Sequence, residues 1–288
     1  MLTAVCALSV HAAAVELLHL SNPVGYPAGG LLVFLTQIAM AGAAMILWRL
    51  ATPAVAGLPV GLRCFLLFVL LAMLFQRLIR YPLMAGVTTT AWSFSFLANL
   101  PALVPFLVLA CLVVPATPRL RRPWQAILAA AVFAALAFPV CGALAARLFQ
   151  PLLASASGFS HEVVYAMPYG MHVLVPAYVT ALEPAAATVA LAALVWDRLP
   201  GRSAARIAWF AVLLMTLDLH LFQPIVVLAS SAGRPGAAFA AVGQSWLATL
   251  VQTVLGGATW AWSVRAQSHA TRAAPAGSAA AIRREGPT

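Results

Sequence analysis

Residues 91–115 read AWSFSFLANLPALVPFLVLACLVVP. No Asp, Glu, Lys, Arg or His interrupts this run. About 20 consecutive apolar residues suffice for a helix to cross the hydrocarbon core of a bilayer, so the run reads as a transmembrane helix. Comparable runs recur at roughly 3–20, 29–49, 62–81, 124–146, 171–196, 207–230 and 238–263. The expected fold is therefore all-α: a polytopic bundle of seven or eight transmembrane helices, forming one domain over residues 1–265. Residues 266–288 form a small, polar, basic tail, expected to be disordered and cytoplasmic.

Composition agrees. Of 288 residues, 64% are hydrophobic and only 8% charged, against about 25% charged in soluble domains. The net charge of +10 comes from sixteen arginines and no lysine. Lysine nucleophiles and retinal-type Schiff bases are excluded. The arginines sit mostly in loops and the tail, where they set membrane orientation and do not imply nucleic-acid binding. With the C-terminus inside and eight spans, only Arg77, Arg80, Arg147 and Arg234 fall outside, leaving twelve of the sixteen in the cytoplasm. The expected location is a bacterial-type inner membrane. The first run resembles a signal peptide in its Ala12-Ala13-Ala14 but lacks a basic start, so it is read as a span. The apolar runs show no convincing repeat.

Cys6, Cys64, Cys111 and Cys141 form no CxxC pair and read as small apolar residues. Ser155–Gly158 (SASG) superficially resembles a rhomboid serine motif but falls in a predicted loop with no histidine partner in a later span. No paired acidic motif or phosphate-binding glycine loop is present, and no catalytic residue set emerges.

Ionisable side chains inside a bilayer are costly and mark functional sites by default. They gather in the first span as His11, Glu16 and His19, in the sixth as His172 and Glu183, and in the seventh as Asp218 and His220, followed by Gln223. The segment 161–172, HEVVYAMPYGMH, adds His161, Glu162, Met167 and Met171 around Pro168 and Gly170. Imidazole and thioether together suit a soft cation, so His161, Met167, Met171, His172 and His220 are candidate copper ligands. The function expected first is copper handling or delivery to a membrane metalloenzyme or other membrane subunit. Haem ligation by His172 and His220 is the weaker cofactor reading. The alternative is a proton-coupled small-molecule transporter, with Glu183, Asp218 and Gln223 on the substrate or proton path and Pro176, Pro184 and Pro224 breaking the lining helices.

Two facing relations follow from 3.6 residues per turn. His172 and Glu183 share a stripe. Thr216, His220 and Gln223 share a face, with Asp218 about 160° from His220 and in need of another partner.

Overall fold

Alanine, leucine and valine fill every apolar run, and in a computed structural model the runs fold as helices. Residues 2–14, 30–88, 91–156, 170–230 and 235–273 are described. In chain order the helices are α1 (Leu2–Ala12), α2 (Gly30–Ala51), α3 (Val60–Leu74), α4 (Arg80–Thr88), α5 (Trp92–Ala116), α6 (Pro123–Ala135), α7 (Ala143–Ala156), α8 (Met171–Thr180), α9 (Leu182–Val195), α10 (Ser203–Leu217), α11 (Gln223–Ser230) and α12 (Pro235–Ala273). A π-helical stretch, Leu136–Gly142, joins α6 to α7 and contains Pro139. Proline removes an i→i−4 hydrogen bond, and the widened turn absorbs that loss.

The core is built where α2, α3, α5, α9 and α10 meet. Met40, Leu47, Trp48, Leu67, Leu71, Leu109, Leu191, Phe210 and Leu214 are buried there. The periphery is equally apolar: Leu31, Ile127, Leu148 and Trp262 are each about two-thirds exposed or more. Apolar side chains on both the inside and the outside of a helix bundle are what a lipid solvent requires. Four helices are long and apolar enough to cross a membrane: Gly30–Val55, Ser93–Arg119, Pro123–Ala156 and Met171–Arg198. The chain is an α-helical membrane protein.

Three of the expected continuous spans are interrupted. The run 62–81 stops at Leu74 and restarts at Arg80; 171–196 turns at Ala181; 207–230 stops at Leu217 and restarts at Gln223. Pro82, Pro184 and Pro224 lie inside the first turn of the helix that follows each stop. Proline fits there because first-turn N–H groups have no intrahelical acceptor.

The interruptions fall at corresponding places in the two halves of the chain. Val60 and Ser203 open α3 and α10, Arg80 and Gln223 open α4 and α11, and Trp92 and Pro235 open α5 and α12; each pair is 143 positions apart. α3 and α10 are both 15 residues long. They end alike: Phe75 (φ −80°, ψ 7°) donates its N–H to the Leu71 carbonyl, and Asp218 (φ −83°, ψ 12°) to that of Leu214. They also begin alike. Arg63 Nε donates to the Leu58 carbonyl at 2.6 Å, and Arg206 Nε to the Gly201 carbonyl at 3.1 Å.

Packing is reciprocal. α3 lies on α9 while α10 lies on α2, and α3 packs on α5 as α10 packs on α12. Such an exchange of partners is what a two-fold arrangement of two similar units produces. The apolar runs show no convincing repeat, and the correspondence lies in helix starts, stops and partners instead. Between α3 and α10 only Arg63/Arg206, Val69/Val212, Leu70/Leu213, Leu71/Leu214 and Leu74/Leu217 are identical. Against lipid one apolar side chain substitutes readily for another, so the caps show the correspondence better than the side chains do.

Candidate functional site: a cavity between two helix breaks

At about 1.5 Å per residue, α3 and α10 each run about 22 Å before they break, less than the roughly 30 Å of a hydrocarbon core. Gln76 (φ 59°) and Leu219 (φ 62°) turn the chain, and they are the non-glycine residues with positive φ among those described. Left-handed backbone costs roughly 1–2 kcal/mol for such residues, so each turn is sustained by its surroundings.

Glu183 sustains the first. Its carboxylate accepts the backbone N–H groups of Leu78 at 2.9 Å, Ile79 at 3.0 Å and Arg80. These are donors that the restart of a helix leaves without carbonyl partners, and an anion is favoured at that end by the helix dipole as well. Glu183 itself is only 5% exposed. The Arg80 guanidinium reaches back to the Ala177 carbonyl and, at 3.2 Å, to Thr180 Oγ1, so α8 is tied to the same junction. Asn99 on α5 donates to the Arg77 carbonyl and closes the turn from the other side.

At the second break Asp218 Oδ2 and His220 Nδ1 lie 2.9 Å apart, with side chains 11% and 21% exposed. The nitrogen is close to the carboxylate but poorly aligned for a hydrogen bond. Thr249 on α12 donates to the same carboxylate oxygen at 3.5 Å.

The two breaks face one another across a cavity of about 510 Å³. Gln76, Arg77, Arg80 and Tyr81 line it from the first break, and Asp218 and His220 from the second. Leu8, Phe75, Met84, Val173 and Leu174 supply apolar wall, and Tyr178, 3.3 Å from Ser9 Oγ, joins α8 to α1 at its edge. A smaller cavity of about 220 Å³ shares Leu8, Gln76, Arg80 and His220 with it and continues to Ser245, Thr249 and Gln252 on α12. Volume, apolar walls and a few converging polar groups are the features of a small-molecule site.

The sequence-derived candidates divide. Glu183, Asp218 and His220 are brought to the two breaks. Gln223 opens α11 but does not line the cavity; its Oε1 is buried without a hydrogen-bond partner among the described residues. Met171 is 70% exposed and His172 is exposed beside it at the start of α8. Glu16, His19, His161, Glu162 and Met167 lie outside the described residues. Among the described residues no three His, Cys, Asp or Glu side chains are grouped as metal ligands would be.

Both facing relations are corrected. His172 and Glu183 do not share a stripe, because the turn at Ala181 separates an exposed histidine from a buried glutamate. Asp218 does not point away from His220, because the helix ends at Leu217 and the left-handed Leu219 folds the chain back. A helical wheel has no meaning across a break.

Sequence reasoning missed Gln76, Arg77, Arg80 and Tyr81. A signal existed in RLIRYP, residues 77–82: two arginines at the end of an apolar run on the side where the positive-inside rule disfavours them, just before a proline. Comparison with protein-family models, with curated proteins and with solved structures finds no match.

Proposed function

We propose that the protein is a secondary permease for a small molecule, built from two parallel four-span repeats, eight spans in all, with its C-terminus in the cytoplasm of a bacterial inner membrane. The observation that carries this reading is the pair of helix breaks at corresponding places of the two repeats, bounding one polar cavity. Non-helical backbone at membrane depth persists only where it is buried in protein or lines a cavity, and matched breaks in two halves are the strongest structural pointer to a transporter's binding site. The reciprocal packing of α3 on α9 and α10 on α2 supplies two similar bodies that can rock about the site between them. α1 fits the scheme: Leu2 corresponds, at the same offset of 143, to Ala145 within α7.

In this mechanism Glu183 is a fixed anion that holds the first break open. The groups free to exchange partners as the site changes exposure are Asp218 and His220. His161 and Met167 of the copper reading lie outside the described residues, and this mechanism calls on no metal. A cysteine at Leu174, on the cavity wall, tests the proposal. A permease exposes it to an impermeant thiol reagent from each face of the membrane, whereas a receptor or assembly factor exposes it from one face only.

A further inference from the structure

We infer that the cavity takes a small organic carboxylate, with Arg77 as its anchor; this rests on the permease reading of the same cavity. The charged groups at the cavity are not all paired by contact. Asp218 is engaged by His220 Nδ1 at 2.9 Å and by Thr249 Oγ1 at 3.5 Å. Arg80 sits against Glu183, whose carboxylate accepts its backbone N–H, and its guanidinium is engaged by Ala177 and Thr180. Arg77 has no acid partner among the described residues. It is held with its Cζ 4.4 Å above the centre of the Tyr81 ring, and both side chains line the cavity. A ring face positions a guanidinium without neutralising it, leaving its forked N–H donors free for an anion.

One arginine without an acid partner among the described residues balances one negative charge. Carboxylate geometry matches the guanidinium fork in a bidentate pair. A phosphate monoester carries about −1.5 to −2 charge at neutral pH and leaves an excess there. The N–H groups at the start of α4 already bind Glu183, so among the described groups on that side of the cavity Arg77 is the one left to hold an anion. Phe75, Met84, Val173 and Leu174 around the site fit an apolar body attached to the acid group.

The test is binding to the full-length protein in detergent, using benzoate, phenylacetate and octanoate, each against its primary amide, with phenyl phosphate alongside. At least one acid is expected to bind about 10- to 100-fold more tightly than its amide, as charged hydrogen bonds imply. Phenyl phosphate is expected to bind more weakly than that acid. Arg77→Gln is expected to abolish the preference while keeping the wild-type melting temperature, because the carbonyl that binds Asn99 belongs to the backbone. Arg77→Lys is expected to restore part of it. Equal affinity for acid and amide in all three pairs, binding of none of the acids, tighter binding of phenyl phosphate, or a preference that survives Arg77→Gln would each overturn the assignment. Two-faced labelling at position 174 with no carboxylate preference leaves the permease standing and removes the substrate class. One-faced labelling with a preserved preference does the reverse.

Discussion

Gln76 and Leu219 stand at equivalent places in two similarly built helix-turn-helix units, 143 residues apart, and both are left-handed at φ near 60°. The side chains share nothing, yet both helices are left the same way: Gln76 N–H bonds the Met73 carbonyl and Leu219 N–H that of Thr216, after which the two turns diverge. Replacing either by glycine relieves strain of about 1–2 kcal/mol and adds backbone entropy worth roughly 0.5–1 kcal/mol to the unfolded chain, so Gln76→Gly and Leu219→Gly are expected to change stability by less than about 1 kcal/mol. β-Branched Gln76→Val and Leu219→Val are expected to lose about 1–2 kcal/mol each. Thermal melting in detergent checks both pairs. Equal tolerance of glycine and valine contradicts the turn geometry.

Glu183→Ala removes the acceptor for three backbone donors and leaves Arg80 beside an empty junction. The expected loss is about 3–5 kcal/mol, the range for breaking a buried charged network from one side. Glu183→Gln keeps one carbonyl oxygen but loses the charge, and should fall between. If Glu183→Ala melts like the wild type, the carboxylate does not hold the break.

Asp218 and His220 should couple. A double-mutant cycle with Asp218→Asn and His220→Gln is expected to give an interaction energy of about 1 kcal/mol, within the range for contacting charged residues. Additive losses contradict the pairing that the break creates.

Membrane residence and helical class were legible because 91–115 and its fellows have a length and apolarity that only a bilayer explains. The need for broken helices was partly legible too: Pro184 and Pro224 lie in the first turn of the helices that restart at Leu182 and Gln223. The positions of the breaks were not. They depend on Glu183 reaching residues about a hundred positions earlier, and on left-handed turns at a glutamine and a leucine, residue types that carry no turn signal. The face assignments for His172 and Asp218 failed for that reason, since each assumed one unbroken helix. The correspondence of the two halves was illegible because it lies in capping geometry.

The copper expectation has its own check. Purified protein offered Cu(I) anaerobically is expected to retain no stoichiometric metal after desalting. One equivalent retained, and lost on His172→Ala or on paired Met167→Leu and Met171→Leu, would return the function to metal handling.

The central claim is that the cavity between the two breaks opens to both sides of the membrane. Leu174→Cys, in a chain with Cys6, Cys64, Cys111 and Cys141 replaced by alanine, places one thiol on that cavity wall. Val179→Cys, at a position 59% exposed on the outside of α8, serves as the lipid-facing control in the same background. Right-side-out and inside-out vesicles are treated with a membrane-impermeant maleimide. The account predicts that the Leu174→Cys protein is labelled in both preparations and the Val179→Cys protein in neither. Labelling of the Leu174→Cys protein from one face alone, at every time and temperature tried, would contradict it.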